Sequence, residues 1–337
     1  MSTINQSAFS PKEFQFLIGG QSAYGTQLLN ALYAVDVDSV GFPSFGTNAV
    51  MDVRAGGRVL RADDFFQTQN AQITEISVSG TAKVAVMDLL LKNITDDSAA
   101  PYNITAGYVP TALGTGSTPT LSDMKLFTIV ITSPVNNSDM VFKDCVVTSL
   151  NLTGDANAEG GRVKFSATFK TGSKPVSLSL TSESVDTAIG TNDIFMSTWG
   201  DSDKRMIAGV NHVLVNTFSL TLENDAYFQG IDSNGNHEMI GRAPEFSVTC
   251  DFNVKYDSIT EPFINTFQTQ TGDSGRTKMA STDNVASNSF GFDMPKSIFT
   301  NVAFAEGDTM ALDLSMKAVA SNTSTDDFFI IGIPPEV

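Results

Sequence analysis

From Val163 to Lys170 the chain alternates without a break. Val163, Phe165, Ala167 and Phe169 are apolar; Lys164, Ser166, Thr168 and Lys170 are polar. A period of two predicts a strand with one buried and one wet face. This run is the second arm of VVTSLNLTGDANAEGGRVKFSATFKTG, Val146–Gly172, which reads as a long hairpin. Similar runs predict strands at Ile73–Ser79, Val146–Thr153, Leu214–Leu222, Phe246–Lys255 and Met310–Ala318. Val84–Met87 reads either as strand or as the start of a helix. Turn residues recur between these runs and helix signals are few, which is an all-β pattern.

The pattern also echoes itself. Glu75–Val84, EISVSGTAKV, aligns without a gap on Glu245–Val254, EFSVTCDFNV. Each copy leads into a helical candidate. The first is MDLLLKNI, Met87–Ile94. The second is SITEPFINTF, where Ser258 and Glu261 have capping-box spacing and Pro262 suits a first turn. Later, VFKDC (Val141–Cys145) resembles IFTNV (Ile298–Val302). EGGRVKFSATFK (Glu159–Lys170) then aligns on EGDTMALDLSMK (Glu306–Lys317), with about ten residues missing between the arms of the second copy. Two echoes in the same order predict a duplicated β unit. The expected organisation is an N-terminal arm over 1–30, unit A over 31–180, a linker over 181–204 that docks through Ile194, Phe195 and Trp199, unit B over 205–320, and an apolar tail over 321–337 able to dock. The Ser/Thr/Pro/Gly-rich stretch Thr95–Thr120 reads as a long exposed loop.

Composition narrows the function more than it names it. The 337 residues can bury a sizeable core. No run approaches the ~18 apolar residues of a membrane helix. The opening MSTINQSAFSPKEF lacks the basic and apolar regions of a secretory signal, so a soluble protein not exported by that route is expected. A net charge of −17 opposes a grip on nucleic acid, which needs clustered Lys and Arg. It suits a surface that nucleic acid must pass without sticking.

Catalytic chemistry finds little footing. The Gly-rich FLIGGQSAYGT lacks the Lys-Ser/Thr ending of a phosphate loop, and no cofactor is expected. His212 and His237 stand near no nucleophile elbow. Asp63-Asp64, Asp96-Asp97 and Asp326-Asp327 read as solvated turns. Asp232–Asn236 begins like a calcium loop, but His237 and Ala243 occupy its sixth and twelfth positions, and a turn on Asn234-Gly235 explains it better. Two cysteines, Cys145 and Cys250, and two histidines make no zinc site of usual spacing; the cysteines read as buried strand residues.

Three pieces resemble the major tail tube proteins of long-tailed bacteriophages. They are the QSAYGT element at Gln21–Thr26, the KDCVVTSLNLTGDANAEGGRVKFSATFKTG segment, and the VNTFSLTLENDAYFQG…IGRAPEFSVTCDFNVKYD segment over Val215–Asp257. The resemblance implies a mainly β fold of two tandem sandwich units, each with a short flanking helix, contributing strands to an inner barrel. It implies a non-enzymatic virion protein, assembled in the host cytoplasm into stacked rings that form the tail tube for DNA ejection. The partners implied are copies of the chain, in a three-chain ring of quasi-sixfold symmetry or a six-chain ring, other tail proteins at the tube ends, and double-stranded DNA in passage. Candidate inner-sheet or lumen-face positions are Lys164, Ser166, Thr168, Lys170, Asp313, Ser315 and Lys317. Capsid decoration, a baseplate role, a carbohydrate-binding β-sandwich and a carboxylate glycosidase stay open as alternatives; one Trp and six Tyr offer little for sugar stacking.

Overall fold

The computed structural model describes residues 14–43, 49–51, 65–67, 73–97, 100–119, 124–133, 138–178, 184–186, 192–196, 199, 205–270, 272–281, 290–305, 309–320 and 327–332. The fold is mainly β. Its strands are β1 (Gln15–Gly20), β2 (Asn30–Val35), β3 (Ser39–Gly41), β4 (Ala49–Met51), β5 (Phe65–Gln67), β6 (Thr74–Thr81), β7 (Tyr102–Thr105), β8 (Ala112–Gly114), β9 (Phe127–Ser133), β10 (Ser138–Asp155) and β11 (Lys164–Thr171). They continue with β12 (Val176–Leu178), β13 (Ser184–Asp186), β14 (Arg205–Ile207), β15 (Val210–Asn211), β16 (Val215–Gln229), β17 (Met239–Lys255), β18 (Gly275–Ala280), β19 (Gly291–Ala305), β20 (Ala311–Ala318) and β21 (Asp327–Gly332). Helix α1 (Val84–Ile94) follows β6, and α2 (Pro262–Thr269) follows β17.

Apart from the β4–β5 pair, the strands form one large sheet, antiparallel except where β13 runs parallel to β2. Its broad centre has the order β3-β6-β11-β10-β16-β17-β20-β19. The first half of β10 bends away to pair with β9 and β12, and β9 continues to β1 and β2. The first half of β19 likewise pairs with β18 and β21, and β18 continues to β14 and β15. Among the described residues these pairings never return to their starting strand. The sheet of a single chain is open, with β3 at one edge of the centre and the end of β19 at the other.

The pairing order therefore recurs along the chain. The strands β1, β2, β3, β6, β9, β10, β11, β12 pair among themselves as β14, β15, β16, β17, β18, β19, β20, β21 do. Residue correspondences can be read from the β-bulges. The β10–β11 ladder slips between Val147 and Ser149, opposite Phe169 and Thr168. The β19–β20 ladder slips between Phe299 and Asn301, opposite Met316 and Ser315. Thr148 and Thr300 are thus the extra residues at one position of two similar ladders. A side-chain amide at the C-terminal end of each helix holds the residue before the bulge. The Val147 N–H donates to Asn93 Oδ1, and the Phe299 N–H donates to Gln270 Oε1 at 3.3 Å.

This register keeps Phe169 opposite Met316 in role, as the sequence echo has it, and corrects the other two alignments. Ser79 corresponds to Asn253, since each pairs with the matching residue of β11 or β20, Ser166 or Asp313. The EISV/EFSV echo is displaced from it by four residues, an even slip that leaves the buried face unchanged. The VFKDC/IFTNV echo is displaced by five, because Val147 corresponds to Phe299. The second connection is shorter by five residues rather than ten, as Ser149 to Thr168 against Asn301 to Ser315 shows.

The apolar face of the central sheet is covered by the helices and the two bent-away groups of strands. Phe16 of β1 meets Phe169 at 6.0 Å between ring centroids, Phe263 of α2 meets Phe299 at 5.5 Å, and Trp199 meets Phe218 at 5.0 Å. Val84–Met87 is helical: Val84, Met87, Leu90, Leu91 and Ile94 are buried on one α1 face, the 3.6-residue period of an amphipathic helix. The Ser258/Glu261 capping box does not form. Asp257 Oδ1 instead accepts the Ile259 N–H at 2.9 Å, and the Thr260 hydroxyl donates to the Lys255 carbonyl at 2.8 Å, before Pro262 opens α2.

Two expectations of loose segments are corrected. Residues 15–20 are a strand whose Phe16, Leu17 and Ile18 are buried, so the N-terminal stretch is not a free arm throughout. Thr95–Thr120 contains β7 and β8, with Tyr102, Ile104 and Leu113 buried; their strand partners are β21 and the start of β17, far away in sequence. Ile194 and Trp199 of the linker are buried, and β21 of the tail joins the sheet. No described helix is long and apolar enough to cross a membrane.

Candidate functional site: a polar sheet face between two open edges

The second face of the central sheet carries the side chains that alternate with the core. One row across it reads Ser79, Ser166, Asn151, Thr221, Thr249, Lys317; the next reads Thr81, Lys164, Thr153, Ser219, Asp251, Ser315, Asn301. All are exposed or half-buried. Short polar side chains hydrogen-bond along the rows. Asn151 Nδ2 donates to Ser219 at 2.9 Å and to Thr221 at 2.8 Å, Ser39 and Ser79 hydroxyls meet at 2.8 Å, and Asn253 Nδ2 donates to Asp313 at 2.7 Å. Lys164, Ser166, Thr168, Lys170, Asp313, Ser315 and Lys317, singled out from sequence, all lie on this one face.

Each of the three lysines is matched by a carboxylate. Lys164 pairs with Glu159 at 2.9 Å, Lys170 with Asp225 at 2.8 Å and Glu75 at 3.5 Å, and Lys317 with Glu245 at 3.4 Å. The Lys164 hydrogen bond and charge lower the Glu159 carboxyl below the usual range. At Lys170 burial disfavours the charge, but the hydrogen bond that it donates to Asp225 and the two negative charges outweigh it and raise the ammonium above the ordinary lysine value. Burial also acts against Asp225, yet Lys170 and the Ala226 N–H hold its carboxyl low. Glu223 and Asp251 on the same face make no ion pair among the described residues. The face is therefore paved with hydroxyls and amides, its cations answered in place and its residual charge acidic.

Beneath the face, two buried networks hold the sheet in shape. Arg242 of β17 is fully buried. Its guanidinium donates to both Asp96 oxygens at 3.2 and 3.3 Å, to the Val147 carbonyl at 2.6 Å, to the Asn224 carbonyl at 2.9 Å and to the Asn93 carbonyl. Asp96 is thus a buried ion-pair partner, correcting its reading as part of a solvated turn. The second network fixes the Gln21–Thr26 element. Buried Asp144 accepts from Gln21 Nε2 at 2.8 Å, the Gly25 N–H at 2.7 Å and the Ser173 hydroxyl at 2.7 Å. Neither network stood out in the sequence as interior, because its members are remote in the chain: Arg242 reaches Asn93, Asp96, Val147 and Asn224, and Asp144 reaches Gln21, Gly25 and Ser173.

The remaining candidates find structural roles. His237 packs at a tilt against Phe228, with ring centroids 5.5 Å apart, and its Nδ1 lies 3.0 Å from the Gly230 carbonyl. His212 is exposed. Gly235 takes a φ of 77° in the connection between β16 and β17, where Asp232 Oδ1 accepts the Asn234 and Asn236 N–H groups, each at 2.8 Å. That is an Asp-anchored turn. Cys145 and Cys250 are free and fully buried, and burial raises both thiols well above their ordinary range. No group of three or more His, Cys, Asp or Glu among the described residues is placed to hold a metal. Asp63, Asp64 and Asp326 lie outside the described residues.

The edges of the polar face are unpaired among the described residues. At one, Phe42 follows β3 and is 42% exposed; at the other, Phe304 of β19 is 57% exposed beside Tyr256. No protein-family model matches this chain, and no curated protein matches its sequence.

Proposed function

We propose that this chain is a structural subunit of a phage tail tube, self-assembling into rings that stack around a channel for double-stranded DNA. The observation that carries the reading is the recurrent pairing order. It supports a duplicated β unit whose two copies lie side by side, their joined sheet having a polar face and, among the described residues, two open edges. Open edges invite strands from another chain, and ring closure removes them. Eight central strands per chain make three chains sufficient: 24 strands at ~4.8 Å spacing and ~40° tilt give a backbone diameter of roughly 48 Å, wide enough for a hydrated duplex. The polar face then lines the channel. Its lysines are held by Glu159, Asp225, Glu75 and Glu245, so they offer phosphate no free cation, and a duplex gains little by stopping there. The protein in this reading is a virion component, not an enzyme, and works without a cofactor. The one Trp of the chain, Trp199, is buried and gives no platform for sugar stacking, which favours the tube reading over a carbohydrate-binding module.

Negative-stain microscopy of the purified protein tests the reading. Rings or hollow tubes with an open centre are expected, with a ring mass of three chains. Particles that stay monomeric at high concentration overturn it.

A further inference from the structure

The chain contains one edge-to-edge junction between its recurrent halves, and that junction specifies a second. Inside the chain, β10 pairs with β16 in the register Leu150↔Leu222, Asn151↔Thr221, Leu152↔Leu220 and Thr153↔Ser219. By the bulge correspondence, Leu150, Asn151, Leu152 and Thr153 of β10 match Val302, Ala303, Phe304 and Ala305 at the end of β19. On the other side, β3 pairs with β6 as β16 pairs with β17: Ser39 corresponds to Thr217, Val40 to Phe218 and Gly41 to Ser219. One and two residues on, Phe42 and Pro43 correspond to Leu220 and Thr221.

From this the geometry points to a head-to-tail contact between two copies of this chain, in which residues 303–305 of one copy pair antiparallel with residues 41–43 of the next, in the register of the β10–β16 junction, with Phe304 opposite Phe42. This deepens the ring reading and rests on it for closure.

Three independent features agree. First, the internal junction places Leu152 opposite Leu220, both fully buried. Their counterparts are Phe304 and Phe42, both large, both apolar and both left exposed in the single chain, at 57% and 42%. Each ring has one aromatic neighbour in its own chain, Phe14 at 5.1 Å for Phe42 and Tyr256 at 5.3 Å for Phe304, and a junction would bury the large part of each that this neighbour leaves exposed. Secondly, the Ala156 N–H donates to the Asn216 carbonyl at 2.8 Å. In an antiparallel ladder hydrogen-bonded and non-hydrogen-bonded pairs alternate. Leu152↔Leu220 is therefore a hydrogen-bonded pair and Asn151↔Thr221 is not. Pro43, which has no N–H, falls at the counterpart of Thr221, where none is needed. Thirdly, the upper limit of the junction is already set. The backbone of Phe299 is occupied by Gln270, whose Nε2 donates to the Phe299 carbonyl at 2.7 Å, so the free edge begins beyond the bulge, as it does at Ser149 in the internal junction. The contact is heterologous, and such contacts close into rings when the rotation allows.

Cysteine cross-linking reads the register directly. Gly41 and Ala305 would form a non-hydrogen-bonded pair about 4.5 Å apart between Cα atoms, within the range a disulfide spans. A Cβ at Gly41 meets nothing nearer than 3.4 Å, and the two native cysteines are fully buried. The doubly substituted chain, G41C with A305C, is oxidised mildly and run under denaturing, non-reducing conditions, in parallel with G41C and N301C, a same-face pair four residues out of register. Covalent oligomers from the first pair only, ending at three chains, are expected. Rings by microscopy without cross-linking, or equal cross-linking of both pairs, overturn this register and leave the ring reading intact. Cross-linked chains without rings support the register and overturn the ring reading. In a second measurement, F304D alters a side chain that is exposed in the single chain. An unchanged circular dichroism spectrum with at least ~10-fold less assembled protein at fixed concentration, equivalent to ~1.4 kcal/mol, is expected; undiminished assembly overturns the contact.

Discussion

Replacing Arg242 by Met removes the charge from the most heavily bonded side chain in the interior. The guanidinium joins the end of α1, through Asn93 and Asp96, to the bulge of β10 at Val147 and to β16 at Asn224. Methionine fills much of the volume but donates nothing. The Asp96 side chain, 4% exposed, would keep only the Tyr108 hydroxyl at 3.0 Å as a side-chain partner, and three carbonyls would lose their donor. Breaking a buried ion pair from one side costs about 3–5 kcal/mol, because the surviving charge stays buried without compensation. An unpaired buried carbonyl adds up to ~1–3 kcal/mol where water cannot reach it. A loss of at least ~3 kcal/mol is therefore expected for R242M, measured as the shift in urea midpoint multiplied by the common m value. The companion variant decides the cause. R242M with D96N removes the stranded charge, so it should be more stable than R242M by at least ~1 kcal/mol, a non-additivity that only directly coupled groups show. A loss under ~1 kcal/mol for R242M, or a double variant no better than the single one, refutes the clamp.

Two further outcomes follow from the titrating groups. Asp225 has a folded pKa below its unfolded value of ~3.9, so its contribution is present above that value and is lost as pH falls through the folded one. Asp225 is 58% exposed, which limits the effect to below ~1 kcal/mol; D225N should lower stability near pH 6 and converge with the parent under strongly acidic conditions, and an equal difference at both pH values refutes the pairing. Lys170, held above its ordinary value, loses its share only at alkaline pH. Cys145 and Cys250, buried and with raised pKa values, should show no thiol reactive toward an aromatic disulfide reagent in the native protein and two in denaturant; a fast-reacting native thiol would contradict the placement of β10 or β17.

The alternation of Val163–Lys170 and Met310–Ala318 was enough to assign strands and to say which residues share a face, because the side-chain period of a strand is a local property of the backbone. For the same reason the seven polar positions were legible as one set. What alternation lacks is an origin: a strand pattern matches another equally well after any even slip. The EISV echo is off by four residues without penalty to its buried face, while the VFKDC echo crosses a bulge and is off by five. The register came from hydrogen-bonded pairs and from the amides of Asn93 and Gln270, which meet the bulges only in three dimensions. The short strands β7 and β8 lay unseen in a Ser/Thr/Pro/Gly stretch because their partners, β21 and β17, are remote in the chain. Asp96 looked solvated because Arg242, its counter-charge, is 146 positions away. Local pattern determined the elements and their faces; tertiary pairing decided the register, the buried charges and which two edges of the central sheet are open among the described residues.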